Sequence, residues 1–164
     1  MEVGLQSELS AGRRISACDV SPYLVDMLRR RPKVPNVAIE CIDAAKGELP
    51  TGDLCLIRQV LQHLSNAQIS AILGRLSRYR FVVITEHLPE PQFLLDKDLD
   101  KSHRPDTRLL DYPGGCLEAA PFDVDLPPTS LSLEVGRIHD KARSNLHTWI
   151  VRGDAFKVNA VSAL

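Results

Sequence analysis

The stretch "RISACDVSPYLVDML", residues 14–28, joins an apolar run to a helical pattern across a single acid, Asp19. The run up to Asp19 predicts a strand. Ser21 is a residue type that caps helix N-termini, and Pro22 suits the first helical position. Apolar residues then follow at helical spacing until Pro32, which ends the helix. We therefore predict a strand, a carboxylate at its carboxyl end, and a helix that begins immediately afterwards.

Outward from this stretch, strand patterns and helix patterns alternate. Further strands are predicted at 36–43, 53–58 and 80–87. The run 53–58, "DLCLIR", is almost continuously apolar, which is typical of a strand covered on both faces. Ser65 is a candidate cap for a helix whose apolar positions follow at spacings of three and four: Ile69, Ile72, Leu73 and Leu76. The alternation predicts a doubly wound α/β domain.

The second half of the chain differs in composition. Residues 88–131 hold seven of the eleven prolines and the pair Gly114–Gly115. Such an excursion is either a substrate-side lid or a surface loop. The runs 132–138 and 146–152, joined by a polar connection, predict an antiparallel hairpin. We take residues 1–164 as a single domain, since the length suits one ordinary core.

Composition narrows the function classes. The net charge of -1 gives no electrostatic reason to expect a nucleic-acid partner. No apolar run approaches the roughly 20 residues that a membrane span needs, and no secretory signal opens the chain. The cysteines match no zinc or CxxC spacing, so we expect no metal site and buried, reduced thiols in a cytoplasmic protein. They are Cys18, Cys41, Cys55 and Cys116.

Four segments in order resemble a class I methyltransferase that depends on S-adenosylmethionine. "ACDVSPYLVDML" resembles the family's second strand and its helix, and "IECIDAAKGELPTGDLCLI" resembles the third strand, its acidic loop and the fourth strand. "RQVLQHLSNAQISAIL" is similar to the helices that follow, and "RFVVITEHL" to the next strand. The resemblance covers residues 13–88. More loosely, "DTRLLDYPGGCLEAAPF" resembles substrate-side loops of small bacterial members.

The resemblance implies a Rossmann-like, mostly parallel sheet with helices on both faces and a C-terminal antiparallel hairpin. It also implies S-adenosylmethionine as cofactor and a small molecule as methyl acceptor. Ligands of open α/β sheets bind beyond the carboxyl ends of the strands. Asp19 would accept hydrogen bonds from the ribose hydroxyls there; the alternative is a solvated Asp ahead of a helix cap.

Further cofactor contacts follow from the same resemblance. Asp43 would accept from the adenine amino group, with Ala44 packing nearby; the alternative is an Asp that only shapes a turn. Arg58 and Gln59 would border the methionine end of the cofactor. His63 is common at its place in the family, but a histidine on a short helix is more often structural.

On the acceptor side, we predict that Arg108 and Tyr112 bind the substrate. Methyl transfer needs in-line placement more than acid or base catalysis. If a base is needed, His87 and His103 are weak candidates. The residues in 88–131 would then form the acceptor side of the pocket, unless they are only a covering loop.

One family signature is missing. The chain holds no GxGxG turn, and residues 1–12 resemble the tail of the helix that follows this turn in the family. We therefore expect an N-terminally truncated domain without the family's central first strand, and weak or absent cofactor binding. The native product could be longer, the chain could be a degenerate fragment, or a partner in a homo- or hetero-oligomer could supply the missing element.

Two other functions stay open. The chain could be a non-catalytic, methyltransferase-like interaction subunit, in which Asp19 and Asp43 are remnants. It could also be another nucleotide-binding Rossmann enzyme, such as a dehydrogenase, although the terminal hairpin and "RQVLQHL" fit the methyltransferase order better. Fold analogy alone does not fix function.

Overall fold

The computed structural model describes residues 13–89, 100–102, 116–138 and 142–156. The chain divides into two compact units, Met1–Pro50 and Thr51–Leu164. The described helices and strands, in chain order, are β1 (Ile15–Asp19), α1 (Pro22–Arg29), β2 (Val37–Cys41), β3 (Leu54–Arg58), α2 (Asn66–Leu76), β4 (Phe81–Pro89), β5 (Leu131–Ile138) and β6 (Ala142–Arg152). Short 3-10 turns lie at Leu61–His63 and Gly153–Phe156.

The first unit is a βαβ arrangement whose two strands, β1 and β2, are parallel. The predicted helix start is confirmed, because Ser21 Oγ accepts from the amide of Leu24 at 3.3 Å and Pro22 opens α1. At the other end of α1, the Arg29 guanidinium donates to the carbonyl of Ile39, with Nη2 at 2.7 Å. This bond joins the end of α1 to β2. The positive charge of Arg29 also interacts favourably with the C-terminal end of the helix dipole.

The second unit holds a four-stranded sheet in the order β3-β4-β6-β5. The pair β3–β4 is parallel, whereas β4–β6 and β5–β6 are antiparallel, so this sheet is mixed. The α/β class and the C-terminal antiparallel hairpin are therefore confirmed. The single sheet of the sequence prediction corresponds, among the described strands, to one sheet of two strands and one of four.

The helix α2 begins at the predicted cap. Ser65 Oγ accepts from the amide of Gln68, and Gln68 Oε1 accepts from the amide of Ser65 at 3.0 Å, which is a complete capping box. The four apolar positions predicted from helical spacing are all buried. Since α2 is the crossover between the parallel strands β3 and β4, it lies against one face of the sheet.

The opposite face of the four-stranded sheet is apolar and exposed. Strand register places five exposed apolar side chains on it: Leu54, Leu56, Leu131, Leu133 and Ile150. Leu56 is 70% exposed, so the prediction that residues 53–58 form a strand covered on both faces is wrong. An apolar run has the same sequence whether one or both of its faces are covered, and β3 lies at a sheet edge.

The prediction of buried thiols is also wrong. Cys18 and Cys41 are exposed and Cys55 and Cys116 are half-buried, and none of the four is in a disulfide. Cys18 and Cys41 lie on β1 and β2, whose outer positions are largely uncovered. Apolar neighbours in the sequence therefore did not indicate burial, because a small two-stranded sheet has few residues to cover it.

The excursion after β4 is described in two parts. In the first, Asp100 Oδ1 accepts from the amide of Asn66 at 2.7 Å, which places this segment against the start of α2. In the second, Leu117, Val124 and Leu126 are buried, so part of the excursion belongs to the core. Among the described helices, none is long and apolar enough to cross a membrane.

Candidate functional site

Asp19 lies at the carboxyl end of β1, as predicted. Its Oδ1 accepts from the amide of Ser21 at 2.7 Å, and its backbone carbonyl accepts from the amide of Ile42 at 2.9 Å. The first bond fixes the carboxylate against the start of α1. Its other oxygen, Oδ2, takes no hydrogen bond from the described residues. Among the described residues, the half-buried side chain therefore has one carboxylate oxygen without a hydrogen bond.

Asp43 lies two residues beyond the end of β2 and shapes a turn. Its Oδ1 accepts from the amide of Ala45 at 3.0 Å, and its carbonyl accepts from the amide of Gly47 at 2.6 Å. Its Oδ2 lies 3.7 Å from Lys46 Nζ. These contacts match the alternative of a turn Asp, and they leave less of this carboxylate for a ligand than Asp19 has. Ala44 is half-buried within the same turn.

In the second unit, Arg58 and Gln59 lie at the carboxyl end of β3, where the chain turns sharply. Arg58 is exposed. Gln59 has a φ of 53°, in the left-handed region that non-glycine residues seldom adopt. Its amide still donates to the carbonyl of Thr85 at 2.7 Å, which extends the pairing with β4 by one residue. Backbone geometry thus directs the chain away from the sheet at Gln59.

The structure brings Gln59 and His87 together, although the sequence prediction gave them separate roles. Gln59 Nε2 lies 3.2 Å from His87 Nδ1, and an amide nitrogen in this position donates to an unprotonated ring nitrogen. Burial lowers the pKa of His87 below its ordinary value of 6.5. His87 is therefore neutral at neutral pH, and because Nδ1 accepts from Gln59, Nε2 carries the ring proton and is a hydrogen-bond donor.

Glu86 is a functional candidate that sequence reasoning missed. Its Oε1 accepts from the amides of both Val60 and Leu61, each at 2.9 Å. The residue is 2% exposed, and Oε2 has no hydrogen-bond partner among the described residues. Burial raises the pKa of Glu86 to about 7, against the opposing effect of hydrogen bonds from the backbone of Leu61, Val60 and Gln62.

A sequence signal for Glu86 existed. In "FVVITEHL" the inward positions alternate as Val82, Ile84, Glu86 and Leu88, so the acid occupies a core position. Acids are almost never fully buried without a partner, and perturbed acids concentrate at functional sites. Alternation alone therefore marked Glu86 as unusual before its contacts were known.

Other buried polar groups lie close to the turn after β3 that Glu86 contacts. Gln62 Nε2 lies 3.4 Å from His63 Nε2, and Lys101 Nζ donates to the carbonyl of Gln62 at 3.4 Å. Gln62 and Lys101 are buried, and among the described residues Gln62 Oε1 and His63 Nδ1 have no hydrogen-bond partner. We call Gln62, His63, Glu86 and Lys101 the Glu86 cluster.

The acceptor-side candidates His103, Arg108 and Tyr112 lie outside the described residues, so their predicted roles stay predictions. Within the described ranges, no three His, Cys, Asp or Glu side chains come together as a metal site. An open depression of about 740 Å³ runs along residues 125–128 and the end of β6. It lies at the opposite end of the sheet from Gln59, because Arg152 pairs with Phe81, the first residue of β4.

A scan against protein-family models and a search of curated proteins each found no match to this chain.

Proposed function

We propose that the chain is a methyltransferase domain that uses S-adenosylmethionine and acts on a small molecule. The observation that carries the proposal is Asp19. A carboxylate at the carboxyl end of a parallel strand, held by the first turn of the next helix, is suited to a ribose diol. One of its oxygens accepts from the amide of Ser21 and the other has no hydrogen bond among the described residues, so an acceptor remains for a ribose hydroxyl.

Strand order supports a Rossmann-like arrangement. In a doubly wound sheet of order 3-2-1-4-5-6, the second and third strands are a parallel pair, and the fourth and fifth strands are parallel neighbours. The described chain has the parallel pair β1–β2 and a sheet that begins at the edge strand β3. A mostly parallel sheet with helices on both faces is accordingly part of the proposal.

The remaining roles follow from this assignment. Asp43 and Ala44 would meet the adenine, and Arg58 with Gln59 would meet the methionine end. S-adenosylmethionine, when bound, supplies an electrophilic methyl group on a sulfonium ion. His87 would act as a base only through Nδ1 and only after Gln59 releases it, because Gln59 donates to Nδ1 and leaves the proton of the neutral ring on Nε2. Arg108 and Tyr112 would orient the acceptor, with His103 as the other candidate base.

Ligand-observed NMR tests the proposal even where affinity is low. The sequence has no GxGxG turn to approach the cofactor closely, so we expect a Kd of about 1 mM for S-adenosylhomocysteine. Saturation transfer from protein to S-adenosylhomocysteine, but not to NAD⁺, is the expected result. Equal transfer to NAD⁺ favours a dehydrogenase-like protein. No transfer to either ligand overturns the proposal.

A second function, a non-catalytic interaction subunit, is favoured by the exposed apolar face that includes Leu56 and Ile150. Large exposed apolar patches mark interaction surfaces. Sedimentation velocity of the wild-type chain and of Leu56→Glu tests this role. Association that Leu56→Glu abolishes, together with no binding of S-adenosylhomocysteine, supports the subunit. A monomeric wild type removes self-association as its basis.

A further inference from the structure

We infer that Glu86 is a positioning residue that holds the turn from Gln59 to Leu61 through the charge of its carboxylate. The inference depends on the proposed function for its consequence, since this turn presents Arg58 and Gln59 to the methionine end of the cofactor. Sequence resemblance assigned nothing to Glu86, which has no exposed surface of its own to offer a ligand.

The geometry is that of a clamp on a turn. One carboxylate oxygen, Oε1, receives two consecutive amides, Val60 and Leu61, each at 2.9 Å. Immediately before them, Gln59 holds its φ of 53°. A residue other than glycine keeps such a left-handed φ only when the contacts around it fix its backbone there. The two bonds from the amides to Glu86 and the bond from Gln59 to the carbonyl of Thr85 fix both sides of the turn.

The strength of this clamp changes with protonation. Hydrogen bonds to an ionised carboxylate are roughly twice as strong as those to a neutral group. Burial raises the pKa of Glu86 to about 7, so the clamp changes its charge near neutral pH. Above this pH, the ionised carboxylate holds both amides; below it, the neutral acid holds them more weakly.

Other titratable side chains surround Glu86. Among the described elements, His147 lies directly opposite it on β6, His63 belongs to the adjoining 3-10 turn, and Lys101 contributes its ammonium group from the start of the excursion. His87 follows it on β4 and faces the other side of the sheet. Burial lowers the pKa of both His147 and His87 below the ordinary value of 6.5. Both histidines therefore become cationic only on the acid side of that value.

The test begins without a ligand. In wild-type protein, the side-chain carboxyl ¹³C shift of Glu86 and the amide shifts of Val60 and Leu61 are followed from about pH 5 to about pH 8.5. We expect one common midpoint near the pKa of about 7. In Glu86→Gln, which keeps an acceptor oxygen, the two amides should show no such midpoint. Glu134→Gln, at an exposed site on β5, should leave the titration unchanged.

An amide titration that persists in Glu86→Gln belongs to a histidine and overturns the inference. A Glu86 carboxyl that titrates without any change at the two amides also overturns it. The wild-type measurement decides the matter even if Glu86→Gln folds poorly.

Cofactor affinity then links the clamp to the proposed function. We expect affinity for S-adenosylhomocysteine to rise about three- to tenfold between pH of about 5.5 and about 8 in wild type, and to stay flat in Glu86→Gln. If the amide shifts of Val60 and Leu61 follow pH as expected but S-adenosylhomocysteine does not bind at any pH, the proposed function is refuted. The inference that Glu86 holds the turn is then unaffected. Binding whose pH dependence is the same in both proteins would refute the clamp as a positioning device.

Discussion

Leu61 donates its amide to Glu86 Oε1 at 2.9 Å, so a buried acid of β4 closes the turn that follows β3. This acid lies at a core position between apolar neighbours, and one of its two oxygens has no partner among the described residues. Burial makes Glu86 costly to ionise, and the contact makes Glu86 important to the local backbone. Both consequences are measurable.

The first prediction concerns stability and pH. The pKa of Glu86 is raised from 4.5 to about 7, so between these values the folded chain holds a proton that the unfolded chain has lost. Stability therefore falls as pH rises through this window and is constant above it. The full effect is on the order of 3 kcal/mol in the free energy of unfolding.

Urea unfolding of wild type and of Glu86→Gln at about pH 5 and about pH 8 measures this effect. Each protein gives a change in the free energy of unfolding between the two pH values. The difference between these two changes removes the contribution of every other titrating group. We expect wild type to lose more stability than Glu86→Gln on going to the higher pH. The same loss in both proteins would show that Glu86 does not titrate in this window.

The second prediction uses two glycines of the same unit. A Cβ at Gly153 would overlap the carbonyl oxygen of Tyr79, whereas a Cβ at Gly74, in α2, meets nothing within 4 Å. Gly153→Ala should therefore cost about 2 kcal/mol or more, since backbone must move. Gly74→Ala should stabilise by about 0.5–1 kcal/mol, because Ala favours a helix. Thermal unfolding followed by circular dichroism ranks them, and equal effects would contradict the packing at Gly153.

The third prediction concerns His87. Burial lowers its pKa below 6.5, and the amide of Gln59 favours the unprotonated ring. Titration of the histidine ring protons by NMR should place the wild-type midpoint below 6.5, and Gln59→Ala should move it upward. A wild-type midpoint above 6.5 would mean that the ring of His87 is not held by Gln59 as the structure has it.

The fourth prediction separates Asp19 from Asp43. Asp19→Asn keeps an oxygen for the amide of Ser21 but removes the charge, so the turn is retained while ribose recognition is weakened. We expect at least about a tenfold loss of affinity for S-adenosylhomocysteine, from a loss of about 1.4 kcal/mol. Asp43→Asn is the matched control, because this side chain is largely engaged by its own turn. A larger loss for Asp43→Asn would reverse the assignment.

The local elements could be predicted because their causes act over a few residues. Ser21 with Pro22 fixes the start of α1, and Ser65 with Gln68 fixes the start of α2, through bonds to amides three residues away or fewer. Helical spacing likewise predicted the buried face of α2. These cap hydrogen bonds and spacings involve only residues that are close together in the sequence, so the sequence alone indicates them.

Coverage and long-range pairing could not be predicted in the same way. The exposure of Leu56 depends on which face of the sheet the crossover helix covers, and the contact between Gln59 and His87 joins residues 28 positions apart. Glu86 gave a local signal through its inward position, but its partners, Val60 and Leu61, come from another element. A sequence pattern states which residues prefer burial, not which surface arrives to bury them.

The most direct test of the central claim is titration of ¹⁵N-labelled protein with S-adenosylhomocysteine, followed amide by amide. We expect saturable chemical-shift changes at the amides of Ser21 and Gln59, with a Kd of about 1 mM. These two amides adjoin the residues that we propose to contact the ribose and the methionine end of the cofactor. Residues around Ala155, at the far end of the second unit's sheet, should not move. Shifts confined to that end, or none at Ser21 and Gln59 at saturating ligand, would contradict the proposal that this chain is a methyltransferase domain.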